Sequence, residues 1–435
     1  MSQPLHAPRE GIPAPLTTPE DVAAAANTLA NGSGPFAIDT ERAAGYRYTD
    51  RAFLIQIRRR GAGTFLIDPE PQRHAAVTPE AITAPLKTVL NDSVWIIHAA
   101  STDLPCLAEL GLHPGELFDT ELAARLAGFD HPNLANMVEL LLGYQLAKGH
   151  GGEDWSRRPL PADWLSYAAL DVELLIELAD VLYDILAEQD KLAIARQEFD
   201  HIRIENRPGS TSLYPTDDDW RRLKGLGALR TPEQLAVARS LWQRRNTLAA
   251  RRDLAPGRIL PNSAIIAVAR NLPATMGEVS ALRGVPRDRR RLQKLFDATN
   301  LARTSNPQQW PERERGDAMP NHRNWKDTWP EAAGILATSN ELLRAQADAI
   351  GIPTENLLKP KIVRVAAWAS AYGHAETGFI PDSLPKMRQL LLREGARDWQ
   401  ADIAAPLLFF GAAGDITAAN LEKDDDNQPS SEAES

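Results

Sequence analysis

Phe36-Ala37-Ile38-Asp39-Thr40-Glu41 is an apolar run that ends on two acids. Side chains two apart on a strand share a face, so Asp39 and Glu41 fall together at the strand's C-terminal edge. Open α/β sheets gather their sites at such edges, and two further acidic positions point the same way. Asp103 follows His98-Ala99-Ala100-Ser101-Thr102, at the start of a helix just after the apolar run Val94-Trp95-Ile96-Ile97. Tyr167 and Asp171, in Tyr167-Ala168-Ala169-Leu170-Asp171, are four apart and share one helix face. Each feature alone is ordinary. Together they predict acids converging on one point, where like charges repel unless a cation sits between them, and they suggest two hard metal ions and phosphate chemistry.

Outward from this stretch, Phe53 to Ile57 and Thr64 to Asp68 read as two strands around an Arg58–Gly63 turn with two glycines, a hairpin continuing from the first strand. Val94 to His98 reads as a fourth strand, buried on both faces. Apolar spacing of three and four predicts helices over Leu134–Leu142 and Trp164–Gln189, the second with Asp163 as cap and Pro161 just ahead. A mixed α/β domain is thus expected over 35–205, preceded by an arm and first helix over 1–34. Arg207 to Ser212 lies in a linker over 206–213. A helical module follows over 214–300, with Thr231-Pro232-Glu233 as a helix start and Leu235, Ala238, Leu241, Trp242 and Arg245 at helical spacing. A second linker over 301–323 precedes another helical module over 324–412, and the acidic tail over 413–435 is expected to be disordered.

With 435 residues and 43% apolar content the chain is too long for one ordinary core. Cys106 is the one cysteine, which excludes an intramolecular disulfide and a zinc site built on several thiolates. Residues 1–18 lack the apolar centre of a signal peptide, and no stretch reaches the roughly 18 apolar residues a membrane span needs. A cytoplasmic protein is expected. The net charge of −10 is unevenly spread: Tyr214 to Asn300 holds 17 Lys/Arg against 8 Asp/Glu, a net of +9 that leaves −19 for the remainder. A basic module within an acidic chain suits binding to a polyphosphate by counterion release.

Asp39-Thr40-Glu41, His98 through Asp103-Leu104, and Tyr167 through Asp171-Val172 resemble, in this order, the three motifs of the DEDD 3′–5′ exonucleases, specifically the tyrosine-bearing branch and within it ribonuclease D. Phe118-Asp119-Thr120 and the segment from Lys148 through Asp154-Trp155-Ser156-Arg157-Arg158-Pro159-Leu160 look like that family's connecting stretch. Trp220-Arg221-Arg222-Leu223-Lys224 and Asp253-Leu254-Ala255-Pro256-Gly257-Arg258-Ile259-Leu260 resemble the HRDC domain, and the C-terminal module looks like a second, diverged copy of it. The implied architecture is an α/β ribonuclease H-like exonuclease domain, a mixed sheet flanked by helices, followed by two all-α HRDC-like domains. No G-x-x-x-x-G-K-[ST] phosphate loop occurs, so a helicase reading of the HRDC likeness fails. One departure stands out: the family often has an aromatic or apolar residue after the Asp-Thr-Glu, whereas here Arg42 follows, similar to an actinobacterial-like branch.

The resemblance implies a 3′–5′ exoribonuclease that trims tRNA precursors and other structured RNAs to nucleoside 5′-monophosphates. Asp39, Glu41 and Asp171 would hold one divalent ion, with Asp39 bridging to a second on which Asp103 acts. An all-oxygen donor set favours Mg²⁺ or Mn²⁺ over zinc. Tyr167 would orient the attacking water, and His98 would lie beside the site without binding metal. Lys148, Arg157 and Arg158, with Arg221, Arg222 and Lys224, are the candidate RNA contacts. Trp220 and Trp242 are expected in helix cores rather than as base-stacking surfaces. A DNA-directed exonuclease and a non-catalytic RNA-binding adaptor are the competing readings.

Overall fold

The computed structural model describes residues 2–70, 77–147, 149–210, 212–312 and 319–414. Lys148 and residues 415–435 of the expected tail lie outside them. The strands are β1 (Gln3–Leu5), β2 (Pro15–Leu16), β3 (Ser33–Arg42), β4 (Ala52–Arg60), β5 (Gly63–Ile67), β6 (Val94–Ile97), β7 (Glu116–Asp119) and β8 (Tyr144–Leu146). The longer helices, numbered here in chain order, are α1 (Pro19–Ala30), α2 (Leu104–Glu109), α3 (Thr120–Leu126), α4 (Ala162–Glu173), α5 (Leu175–Glu188) and α6 (Leu192–Glu205) in the first domain. Beyond it come α7 (Pro232–Arg252), α8 (Asn262–Asn271), α9 (Arg289–Arg303), α10 (Pro330–Ala349), α11 (Pro360–Tyr372), α12 (Leu384–Arg393) and α13 (Asp398–Ala413).

Six strands form one mixed sheet in the order β2-β5-β4-β3-β6-β7, while β1 pairs with β8 apart from it. The β3-β4-β5 meander is antiparallel, and β6 and β7 add in parallel to its β3 edge. β3 runs past the expected apolar stretch to include both acids, and its register sets Asp39 opposite Gln56 and Glu41 opposite Leu54. Arg58 to Arg60 belong to β4 rather than to the turn, which is confined to residues 61–62 with Gly61 at φ 77°. The first 34 residues supply α1, capped by Thr18, and also lend β2 to the sheet.

Two expected helices differ in form. The Leu134–Leu142 segment begins as α-helix and widens into a π turn over Val138–Leu142, closed by Gly143 in the left-handed region. Trp164–Gln189 is two helices, broken at Leu174 with φ −117°. The break lets α4 pack on β3, β4 and β5 while α5 crosses toward β6 and α3. Asp163 sits inside the first turn and does not cap it; Pro161 holds that place.

The basic module closes its own core, with Trp220, Leu241 and Trp242 buried at its centre as expected. The C-terminal module instead shares a core with the first domain: Leu342, Leu390 and Leu408 belong to the same apolar cluster as Ile38, Trp95 and Phe199. A buried ion pair seals this join. Arg397 donates from Nε and Nη2 to the two oxygens of Glu198 at 2.5 and 2.6 Å, and Trp399 Nε1 adds a bond at 2.8 Å. Removing one partner of such a pair strands a buried charge, so Glu198→Ala is expected to cost about 3–5 kcal/mol, read as a lowered denaturant midpoint. A midpoint within error of wild type would show that the pair does not hold the modules together.

Candidate active site

Asp39 and Glu41 stand two apart on one face of β3, and α4 crosses that face with Asp171 on its last full turn. One carboxylate oxygen from each of Asp39, Glu41 and Asp171 lies within 4.8 Å of the others. Burial and mutual repulsion push all three toward the protonated form, Asp39 and Glu41 strongly and Asp171 to about 7. Gln56, across from Asp39 in register, is fully buried with neither amide atom hydrogen-bonded. Hard oxygen donors, unbalanced negative charge and an orphaned amide on one face fit a divalent cation.

Asp103 stands outside the 4.8 Å cluster. Strand alternation turns Thr40 to the other face of β3, and its hydroxyl donates to Asp103 Oδ1 at 2.5 Å. Thr102 Oγ1 donates to Asp103 Oδ2 at 2.7 Å, and Arg42 Nη1 to Oδ1 at 3.1 Å. Asp103 nevertheless acts on Asp39 and Glu41 through space. Its position depends on Asp119, the N-cap of α3, whose buried carboxylate accepts the N–H groups of Ala99, Ala100, Glu121 and Leu122. That grip holds Ala99 in the left-handed region at φ 60° and turns the chain from β6 toward Asp103. His98 donates or accepts at Thr120 Oγ1, and burial lowers its pKa to about 4, so it is a neutral edge residue.

Tyr167 hydrogen-bonds Asp171, and burial followed by repulsion from Asp171, Glu41 and Asp39 raises its pKa far above the ordinary phenol value. Gly149-His150-Gly151-Gly152 lies over it. A Cβ on Gly149 would come within 2.3 Å of the Tyr167 ring, and His150 meets that ring edge-on at 5.8 Å. Trp155 Nε1 ties the segment down through the His150 carbonyl at 3.1 Å. Neither Gln56 nor this cover was singled out from the sequence. The available signals were a lone amide in the apolar run Phe53 to Ile57 and three glycines in four residues ahead of Trp155.

The expected RNA contacts scatter. Arg158 also binds within the fold: Nε and Nη2 grip Asp68 at 2.6 Å each, and Nη1 and Nη2 meet the carbonyls of Phe53, Trp155 and Arg157. Arg221 lies over the Trp220 ring, Arg222 is exposed and pairs with Asp219, and Arg157 and Lys224 are exposed. The HRDC-like signature faces the first domain. Asp253 binds Arg51 through both oxygens at 3.1 and 3.0 Å and accepts the Tyr48 N–H, while Arg258 donates to the Gly45 carbonyl.

Three family models match: 3′-5′ exonuclease over residues 13–187, HRDC domain over 234–293, and 3′ to 5′ exonuclease C-terminal domain over 318–410. A ribonuclease D from Shewanella sp. is 34% identical over 49% of this chain and 55% of its own length. A ribonuclease D from Cronobacter turicensis is 31% identical over 61% of this chain and 70% of its own. The chain belongs to the ribonuclease D family. It is accordingly a 3′–5′ exoribonuclease, a hydrolase of phosphodiester bonds. A crystal structure of a protein from Bifidobacterium adolescentis, 32% identical, superposes with a TM-score of 0.81 over 95% of this chain and all of that one. The ribonuclease D architecture of exonuclease domain, HRDC domain and C-terminal helical domain is therefore present throughout.

Two outcomes are expected of this site. The native fold holds a proton on Asp171 up to about pH 7 that the unfolded chain releases near 3.9, so stability falls as pH rises through that range. His98 acts in the opposite sense, but only below its ordinary value of about 6.5. Between about pH 6.5 and 8 the melting temperature of metal-free protein should therefore drop, and less so in Asp171→Asn; a rise would contradict this reading of the cluster. Gly149→Ala should push Tyr167 aside and lower kcat by about 10- to 100-fold while the fold and metal affinity persist. An unchanged kcat would mean that the cover does not set the tyrosine.

Proposed function

We propose that the chain removes nucleotides one at a time from RNA 3′ ends, releasing nucleoside 5′-monophosphates, at the cluster of Asp39, Glu41 and Asp171 with Tyr167 beside it. The observation that carries this reading is the approach of those three carboxylates to within 4.8 Å with a phenol bonded to one of them. Two divalent ions, Mg²⁺ or Mn²⁺, would supply Lewis acidity at the attacking and leaving oxygens of an in-line displacement. Asp39, Glu41 and Asp171 would hold the first, and Asp39 with Asp103 the second. Tyr167 keeps its proton at neutral pH, because burial first, and then the surrounding carboxylates, disfavour a phenolate. Its role is then to donate a hydrogen bond that orients the attacking water, not to act as a base.

The RNA body would lie against the basic module, with precursors of tRNA and other structured RNAs as substrates. Arg283, Arg287, Arg289, Arg290, Arg291 and Lys294 are all exposed at and before the start of α9, a larger group than Arg221, Arg222 and Lys224. The proposed compartment is the cytoplasm, supported by a single, buried cysteine; among the described residues no helix is long and apolar enough to cross a membrane. The intact acidic set speaks against an adaptor that has lost its chemistry. Matched RNA and DNA oligonucleotides decide the sugar preference.

Asp39→Ala or Asp171→Asn is expected to abolish metal-dependent hydrolysis and leave RNA binding in place, and Tyr167→Phe to slow turnover about 10²-fold. The readout is a ladder gel on 3′-extended tRNA with and without Mg²⁺ or Mn²⁺. Near-normal trimming by either carboxylate variant, or internal cuts in place of a ladder, would overturn the proposal.

A further inference from the structure

Arg42, the last residue of β3, lies against the carboxylate outside the cluster. Between Glu41 and Arg42 the β3–β4 register shifts, passing over Phe53 of β4. Such irregularities raise the local twist where the ladder ends. From there the guanidinium turns to Asp103, meeting Oδ1 at 3.1 Å and the Thr102 carbonyl, with Asp50 at 3.7 Å on its outer side. Its side chain is 23% exposed, whereas that of Asp103 is 3% exposed, so the arginine forms the solvent side of a buried pair. The flanking loop is braced from beyond: Arg51, next to Asp50, is held by Asp253 of the basic module.

Among the described residues no cation is paired with the oxygens of Asp39, Glu41 and Asp171, which Arg42 reaches only through space at Asp39 and Glu41, but an ion approaching Asp103 competes with Arg42 directly. Once a divalent ion neutralises Asp103, the guanidinium and the ion repel, and the planar fork of Arg42 is released one residue from Glu41. A forked, always-charged donor set there matches a phosphate oxygen pair. We propose that Arg42 is an exchangeable counter-cation of Asp103, displaced by the second metal ion and taken up by the phosphate of the terminal nucleotide. The inference rests on the two-ion exonuclease reading above. It makes the two metal affinities unequal and links the weaker one to nucleotide binding, because each removes a penalty from the other.

The test is calorimetric titration of Mn²⁺ into the metal-free full chain, with and without adenosine 5′-monophosphate, for wild type, Arg42→Gln and Arg42→Lys. Wild type should show one strong and one weak event, the weak event tightening when the nucleotide is present. Arg42→Gln should tighten the weak event about tenfold, from loss of a competing charge, and weaken the nucleotide by a similar factor. Arg42→Lys should keep the weak event weak, because the charge remains, yet lose nucleotide affinity, because the fork is gone. Equal Mn²⁺ and nucleotide affinities in wild type and Arg42→Gln, or a weaker second event in that variant, would overturn the proposal. Failure of the strong event in wild type would instead remove the metal reading of the cluster, and Asp171→Asn separates that case by abolishing the strong event alone.

Discussion

Three carboxylates buried within 4.8 Å of one another repel, and much of the fold serves to keep them there. Desolvation and like charge both act to drive protons onto Asp39, Glu41 and Asp171. A cluster so disfavoured persists only if its supports are rigid. β3 supplies that rigidity from the interior of the sheet, paired on both sides, with Ala37 and Ile38 fully packed behind the acids. α4 lays Asp171 across the same face, and Asp119 fixes the turn that brings Asp103 alongside. A divalent cation would relieve the repulsion that the fold sustains, so one arrangement would serve both binding and the proposed catalysis.

The helical modules enter this arrangement differently. The C-terminal module merges with the core of the exonuclease domain through Phe199 and the Glu198–Arg397 pair, so it is part of the scaffold. The HRDC domain keeps its own core and meets the first domain through Asp253, Asn246 and Arg258. Those contacts fall on residues 45–51, the loop that leaves the acidic edge of β3. The residues that mark the domain in sequence therefore serve, in part, to hold a loop beside the acidic cluster. The strongly basic run at the start of α9 remains exposed.

Local pattern carried a large share of this. The apolar runs around the acids predicted the strands, because alternation and burial in a sheet depend on neighbours two residues apart. Asp39, Glu41 and Asp171 were legible as a convergent acidic set for the same reason. The break at Leu174 was not legible: a stretch with helical apolar spacing and neither Gly nor Pro supports one long helix as well as two, and only the two surfaces receiving α4 and α5 require the kink. The tie from Arg158 to Asp68, some ninety positions away, was not legible either, because a basic loop residue looks alike whether it meets phosphate or a distant carboxylate.

By itself, then, the sequence determined the strand that ends on Asp39 and Glu41, the helix face shared by Tyr167 and Asp171, the basic module, and the family to which they belong. All of these are set by spacing along the chain. Only the tertiary structure decided that Asp103 turns away to Thr40 and Arg42, that Gly149 lies flat on Tyr167, and that Asp253 reaches the loop after β3. Each depends on which distant groups are brought within a few ångströms, and side-chain charge and hydrogen bonding act over that distance, not over distance in sequence.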